Sequence, residues 1–287
     1  MTARLPVIDT FVNVNLGSVE RPAFLDRVAT DYFKRGEAMF EDESVESLLA
    51  KMDEAGVEKA VITMRANEPD PRVLAFPDAA PDRIVLSISV DPRLGMKAVR
   101  DLEGLARNHP VVLARVVPFF FNLPPNDRVY YPVYTKCCEL DLPISVNTGI
   151  PGPPAPGMCQ YPMHLDDVCL FFPELTVIMA HGADPWWAEA IRLMIKYRNL
   201  YLMTSAYSPK YFPEPLIQFM NTRGKDKIMF ASDHPVLTIA RTVAEARELV
   251  LRDGVLEKFL YGNAQRVLFD RVKRDDRGEA LRTGMEY

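Results

Sequence analysis

The sequence has few cysteines and no long hydrophobic run, and each scarcity argues against a class of protein. Its four cysteines show no C-x-x-C spacing, so we expect reduced thiols in a cytoplasmic protein. No run of about 18 apolar residues exists, and the N-terminus lacks a basic segment followed by an apolar core, which predicts neither a membrane span nor a secretory signal. The net charge of −5 gives no electrostatic reason to expect nucleic acid or an anionic membrane as a partner.

Short β-rich runs recur along the 287 residues, and most of them precede a helical pattern. Several runs, such as "LTVIMAHG", are continuously apolar, as expected of parallel strands that are buried on both faces. The predicted strands are Pro6–Val14, Val57–Met64, Arg83–Val90, Val111–Phe119, Pro143–Gly149, Thr176–Gly182, Leu200–Ala206 and Lys227–Asp233.

The helical segments lie between these strands and complete the alternation. They are predicted at Ser44–Ala55, Met96–Asn108, Tyr130–Leu140, His164–Phe172, Pro185–Tyr197, Phe212–Arg223 and Thr242–Arg252, with the weakest helical signal after the second strand. Eight strands over about 250 residues predict a single-domain (β/α)8 TIM barrel of class α/β. An open doubly wound sheet is the competing fold, but no glycine-rich fingerprint follows any strand.

Two stretches stand outside the alternation. We assign residues 1–269 to the barrel, with residues 16–43 as an insertion at the end of the barrel where such enzymes keep their sites. The insertion is expected to be a lid over a substrate or a dimer contact. Residues 270–287 are rich in charge and are expected to form a solvated tail or an exposed helix.

Polar residues at the carboxyl ends of the predicted strands are the candidates for chemistry, since barrel enzymes build their sites there. His181 and Asp233 end the sixth and eighth strands and together suit proton transfer or metal binding. Arg115, a charge inside an apolar strand, either pairs with a neighbouring carboxylate or binds an anionic group of a substrate. The other strand ends offer Asn13, Asn147 and Thr204 or Ser205.

The remaining histidines are weaker candidates. His109 precedes the fourth strand and so belongs to the opposite end of the barrel. His164 opens a helix and is expected to cap or pack, although it could reach the mouth of the site. His234 follows Asp233, and strand parity turns it away from the face of Asp233 unless the chain bends at Pro235.

Several stretches, in order, resemble the amidohydrolase-related family (amidohydrolase 2), in the branch similar to aminocarboxymuconate-semialdehyde decarboxylase. They are "PVIDTFVNV", "HLDDVCLFFPELTVIMAHG", "HGADPWWAEAI", "RGKDKIMFASDHPV" and "FLYGNAQRVLF". The resemblance covers roughly residues 6–269. It implies the barrel fold but not one reaction, because the family includes decarboxylases, hydratases and hydrolases, among them lactonases.

The resemblance also implies where a divalent metal, usually zinc, would be held. Family members place histidines on the first, fifth and sixth strands and an aspartate on the eighth. At these positions this sequence has Phe11, Asn13, Asn147, His181 and Asp233. A phenyl ring cannot coordinate zinc and an asparagine carbonyl is a poor ligand for it, so we expect no cofactor, or zinc only at low occupancy through His181 and Asp233.

The sequence therefore supports an enzyme, leaning to a metal-independent hydrolase (of a lactone, thioester or amide) or a decarboxylase or other lyase. Asp233 would be the general base and His181 its partner, while Asn13, Asn147, Arg115 and Phe11 would contact a small, carboxylated substrate. Two alternatives stay open: an inactive barrel that binds a ligand or a partner subunit, and a metal enzyme with a rearranged site built from Asp233, His181, His164 or His234. A homodimer is expected from the resemblance alone.

Overall fold

Eight parallel strands follow one another around a barrel in chain order, each hydrogen-bonded to the next. The computed structural model describes residues 4–17 and 24–270. The strands are β1 (Val7–Val12), β2 (Val57–Arg65), β3 (Ile84–Ser89), β4 (Val111–Val116), β5 (Ile144–Asn147), β6 (Val177–Ala180), β7 (Leu200–Met203) and β8 (Ile228–Met229). The prediction of a (β/α)8 TIM barrel is confirmed.

Direct backbone hydrogen bonds between the β8 region and β1 bring the two ends of the sheet together. Phe230 O accepts a hydrogen bond from Thr10 N at 3.2 Å, and Phe11 O accepts one from Asp233 N at 3.0 Å. One step further along, His234 O accepts a hydrogen bond from Asn13 N at 2.7 Å. The chain beyond the two-residue β8 therefore continues to pair with β1, which brings Asp233 beside Phe11 and Asn13.

Helices pack around the outside of the barrel. They are α1 (Phe24–Arg27), α2 (Val45–Ala55), α3 (Pro71–Ala79), α4 (Met96–Asn108), α5 (Tyr131–Glu139), α6 (His164–Phe171), α7 (Trp187–Lys196), α8 (Glu214–Met220), α9 (Ile239–Arg247) and α10 (Val255–Glu257), with short 3₁₀ and π segments between them. In the described ranges, no helix is both long and apolar enough to cross a bilayer.

Local chemistry explains where the structure departs from the predicted bounds. Helix α3 forms where the helical signal was weakest, because Asp70 caps it by accepting a hydrogen bond from Arg72 N at 2.9 Å, and Pro71 suits the first turn. The predicted helix Thr242–Arg252 was set too late along the chain. Helix α9 begins at Ile239 and ends at Arg247, after which Glu248 N and Leu249 N make short-range bonds to the third residue before them.

The end of the barrel opposite the predicted site is closed by the helical stretch that starts at α10. That stretch continues through two π segments to Phe269. Ala264, Val267 and Leu268 from this stretch are buried in one apolar cluster with barrel residues such as Val61 and Leu113. No helix was predicted there. Its packing seals the amino-terminal end of the strands, so the residues at their carboxyl ends face the other opening.

Candidate active site

The mouth of the barrel at the carboxyl ends of the strands brings together the side chains singled out from the sequence. Arg115 lies at their centre: its Nη2 donates to Asn147 Oδ1 at 3.2 Å and lies 3.2 Å from His181 Nε2. Its guanidinium carbon lies 4.1 Å from the centre of the Phe11 ring, which in turn lies 5.1 Å from the His181 ring. Residues from strands β1, β4, β5 and the end of β6 thus form one cluster.

Asp233 lies at the edge of this cluster and is buried, with 7% of its surface exposed. Its Oδ1 accepts a hydrogen bond from Asn13 Nδ2 at 3.1 Å. Burial raises the pKa of Asp233 from 3.8 to about 7, although the nearby Arg115 charge and the Asn13 hydrogen bond act in the opposite direction. The carboxyl group is therefore divided between its acid and base forms near neutral pH.

The backbone holds both leading candidates in an unusual conformation. His181 has a φ of 67° and Asp233 a φ of 64°, in the left-handed region that non-glycine residues rarely adopt. Hydrogen bonds support His181 there: its N donates to Ser205 Oγ at 3.1 Å, and Thr148 Oγ1 donates to the next carbonyl, Gly182 O, at 2.6 Å. Such strain persists only where surrounding contacts enforce it, and it is concentrated at functional sites.

His181 is a neutral imidazole in this environment. Burial and, second to it, the positive charge of Arg115 lower its pKa to about 3. A neutral ring has one acceptor nitrogen, and the 3.2 Å approach of the guanidinium identifies Nε2 as that acceptor. The proton is then on Nδ1, a buried atom that no described residue hydrogen-bonds. His181 is thus an acceptor for Arg115 rather than a cation beside Asp233.

The residues at the mouth do not fit a divalent metal. Within the described part of the chain, no group of three or more His, Cys, Asp or Glu side chains could hold a metal ion. The nearest neighbours of His181 are a phenyl ring and a guanidinium, and neither can donate an electron pair to zinc. Of the other histidines considered for a rearranged metal site, His164 Nε2 contacts Met158 O at 3.1 Å and His234 Nε2 contacts Glu43 Oε1 at 2.9 Å.

Asp9 is a buried acid of this region that the sequence analysis did not single out. It is fully buried two residues before Phe11, and its Oδ1 accepts hydrogen bonds from Ser232 N at 2.9 Å and from Phe11 N at 3.3 Å. Burial raises its pKa to about 6, and its Oδ2 accepts no hydrogen bond from residues 4–17 or 24–270. Asp9 therefore links β1 to the segment before Asp233, and its negative charge raises the pKa of Asp233.

The predicted insertion reaches the mouth through the contact between Glu43 and His234. Both side chains are buried, and Lys51 and Ser47 also bond to the Glu43 carboxylate. The hydrogen bond from His234 is the main reason that the pKa of Glu43 is lowered to about 2. Parity was expected to turn His234 away from Asp233, and His234 indeed points to the insertion. Residues 18–23 of the insertion and 271–287 of the predicted tail lie outside the described residues.

The chain is a (β/α)8 TIM barrel with a polar cluster at the carboxyl ends of its strands, an architecture common among enzymes. The family model for amidohydrolases matches residues 18–269, so the chain belongs to the amidohydrolase family. A search of curated proteins finds no match.

Solved structures agree on the fold. An uncharacterized TIM-barrel protein from Bordetella bronchiseptica is 24% identical over 92% of this chain and 98% of its own, with a TM-score of 0.74. A 5-carboxyvanillate decarboxylase from Sphingomonas paucimobilis is 17% identical over 92% and 99%, with a TM-score of 0.71. A probable 2-pyrone-4,6-dicarboxylic acid hydrolase from Acinetobacter baumannii, with citric acid bound, is 16% identical over 91% and 98%, with a TM-score of 0.65. These likenesses show the barrel fold, and the expected membership of the amidohydrolase family is confirmed by the family model.

Proposed function

We propose that this protein is a metal-independent enzyme that hydrolyses a small, carboxylated ester, lactone, thioester or amide, with Asp233 as its proton-transfer residue. The observation that carries the proposal is the environment of Asp233: a buried carboxyl group beside Arg115 and Asn13, with its pKa raised to about 7. A purely structural aspartate would instead be salt-bridged, and its pKa would be depressed. A general base works best when its pKa lies near the pH of the reaction.

In the hydrolysis, ionised Asp233 removes a proton from a water molecule as the water oxygen attacks the acyl carbon. The negative charge that develops on the carbonyl oxygen is stabilised by Asn147 Nδ2, because a fixed hydrogen-bond donor in a poorly solvated site favours a developing oxyanion. Protonated Asp233 then returns the proton to the leaving oxygen, sulfur or nitrogen as the acyl bond breaks. Asn13 holds Asp233 in place through the 3.1 Å hydrogen bond, and neutral His181 orients Arg115.

Decarboxylation is the second candidate, and the acid form of Asp233 favours it. Protonated Asp233 would transfer its proton to the carbon that bears the carboxylate. The bond between that carbon and the carboxylate then breaks, and carbon dioxide leaves. The electron pair of the broken bond stays with the product and neutralises the charge that the proton brought. The similarity of the fold to a 5-carboxyvanillate decarboxylase supports this class of substrate. The two reactions differ in product, since only decarboxylation releases carbon dioxide.

The test is a screen of carboxylated lactones, thioesters and aromatic acids, with acid release and carbon dioxide release recorded separately. For a substrate that is turned over, we expect Asp233→Asn to lower kcat by about 100-fold or more, the usual scale for acid–base catalysis. Asp82→Asn, at an exposed turn before β3, serves as the matched control and should leave kcat unchanged. Activity should also survive dialysis against a chelator.

Two outcomes would contradict the proposal. Full activity in Asp233→Asn would remove Asp233 from the chemistry. Activity that disappears with chelation and returns with added zinc or manganese would replace the metal-independent mechanism by the rearranged metal site. If the protein binds carboxylates but turns over no member of the screen, the inactive binding barrel becomes the better description.

A further inference from the structure

Arg115 is a cation that forms no ion pair with any residue in the described ranges. Its guanidinium is partly buried, and no described carboxylate oxygen lies within 4.0 Å of its nitrogens. Asp233 acts on it only through the longer-range electrostatic attraction that partly offsets the effect of burial on the pKa of Arg115. The first of the two roles expected from the sequence, an ion pair with a neighbouring carboxylate, is therefore not what the described residues show.

Each group that contacts the Arg115 guanidinium is one that favours a cation or accepts a hydrogen bond. The face of the Phe11 ring attracts a cation through its π electrons, and the separation of 4.1 Å is within the range of that interaction. Asn147 offers a carbonyl oxygen and neutral His181 a lone pair on Nε2, and the two N–H groups of Nη2 point to these acceptors. The three neighbours thus hold positive charge without neutralising it.

These neighbours are also the positions at which family members would hold a metal ion. Phe11, Asn147 and His181 contact the guanidinium, and Asp233 attracts it. A ring in place of an imidazole removes a metal ligand but creates a surface for a cation. An amide in place of another imidazole removes a second ligand but supplies a hydrogen-bond acceptor. The substitutions that remove the metal site therefore build a site for an arginine side chain.

Part of the guanidinium has no hydrogen-bond partner among the described residues. Nε is buried and has no hydrogen-bond partner, and Nη1 makes no hydrogen bond to any described residue. A buried N–H without a partner is costly, and the cost is larger for a charged group. A carboxylate satisfies both needs at once, because its two oxygens match the guanidinium donors and its charge neutralises the cation.

We propose that Arg115 is a built-in cation that takes the place of the metal ion at this mouth and binds the carboxylate of the substrate. The inference deepens the proposed function by assigning the substrate a carboxylate, and it rests on that function only for what happens after binding. Binding can be measured without turnover, so the two proposals fail separately.

The first experiment measures binding by calorimetry with acetate, benzoate and isophthalate, and with benzamide as the uncharged counterpart of benzoate. We expect at least one carboxylate to bind, and benzamide to bind at least 10-fold more weakly than benzoate. Arg115→Met keeps an apolar stem and should weaken carboxylate binding by at least 30-fold. Arg115→Lys should give an intermediate loss, because an ammonium lacks the planar fork of donors. Arg252→Met, at an exposed position outside the mouth, should bind as the unchanged protein does.

The second experiment asks whether Arg115 occupies the place of a metal. Phe11→His, Asn13→His and Asn147→His are combined, once with Arg115 retained and once with Arg115→Ala, and zinc is measured after dialysis against a zinc buffer. Circular dichroism and melting curves verify that both variants are folded. We expect about one equivalent of zinc only when Arg115 is replaced.

Each contrary result overturns the inference. One is a folded protein to which no carboxylate of the panel binds. Another is carboxylate binding that survives Arg115→Met. Stoichiometric zinc in the variant that retains Arg115 would show that the guanidinium does not take the place of the metal, and so would the absence of zinc from the variant that lacks it. An active enzyme with any of these results would leave the proposed function standing without Arg115 as the carboxylate receptor.

Discussion

Replacing Asp233 by asparagine should make the stability of this protein less dependent on pH. Burial raises the pKa of Asp233 from 3.8 to about 7, so the folded chain binds a proton at pH values where the unfolded chain has released it. The free energy of unfolding therefore falls as the pH rises from about 4 to about 7 and is constant in this respect above that range. Asparagine keeps the Oδ1 that accepts from Asn13 but does not ionise.

The size of the effect follows from the two pKa values. Compared with a group that stays neutral, the raised pKa of Asp233 lowers the free energy of unfolding by about 1.5 kcal/mol at pH 5 and by about 4 kcal/mol at pH 8. We therefore compare the free energy of unfolding of Asp233→Asn with that of the unchanged protein at each pH. The difference, variant minus unchanged protein, should be larger at pH 8 than at pH 5 by roughly 2–3 kcal/mol. The new amide N–H groups need acceptors, which adds a constant offset, so the change of the difference with pH is the diagnostic quantity.

Urea denaturation at pH 5 and at pH 8, followed by circular dichroism, measures this difference. Asp82→Asn is the control, because Asp82 is exposed at the other end of the barrel and should show no comparable change. A difference between Asp233→Asn and the unchanged protein that is the same at both pH values would refute the reasoning. It would mean that Asp233 ionises with an ordinary pKa and that burial does not poise it for proton transfer.

Two further predictions concern the structure that supports the site. Asp9→Ala leaves Ser232 N and Phe11 N without their buried acceptor and should lower the free energy of unfolding by about 2–4 kcal/mol in urea titrations at pH 5. Asp9→Asn keeps an acceptor and should lower it much less. Equal losses in the two variants would contradict the role of Asp9 in joining β1 to the last strand. Gly182→Ala should lower the free energy of unfolding by at least about 1 kcal/mol more than Gly254→Ala in melting experiments. Both glycines have φ near 70°, but only at Gly182 would the new Cβ lie 2.5 Å from Trp187 Cη2. Equal losses of stability would show that the Trp187 ring moves aside freely.

The fold was predictable because its signals are local and repeated. Continuous apolar runs mark strands that are buried on both faces, and "LTVIMAHG" corresponds to β6 with all four of its residues buried. The strand-end rule also placed His181 and Asp233 at the mouth, since it depends only on where an apolar run stops. The bounds near the ends were less predictable, because they depend on contacts such as the pairing of Phe230 and Asp233 with β1.

The properties that give the site its chemistry were less accessible from the sequence. Asp9 looks like one polar residue in an alternating strand, but it is buried in β1, and the hydrogen bond that compensates its burial comes from Ser232 N, which is 223 residues away. The partnership of Glu43 with His234 likewise spans 191 residues. No local pattern indicates the left-handed backbone at His181 and Asp233, because it arises from strand ends that turn sharply at the barrel rim. Long-range pairs of this kind are fixed only by the assembled barrel.

Arg115 gives a structural role to neighbouring residues that would otherwise be read only as missing metal ligands. Taken separately, Phe11, Asn13 and Asn147 are losses, since each stands where a metal ligand is expected from the family resemblance. The guanidinium turns two of them into partners: the ring faces the cation at 4.1 Å and the amide oxygen accepts from it at 3.2 Å. The third, Asn13, donates to Asp233 instead, so it holds the carboxylate whose charge the same cation stabilises. Each of the three side chains therefore makes a contact within the cluster, which reduces the cost of burying polar groups there. In the function proposed for this barrel, Arg115 supplies the positive charge and Asp233 transfers the proton.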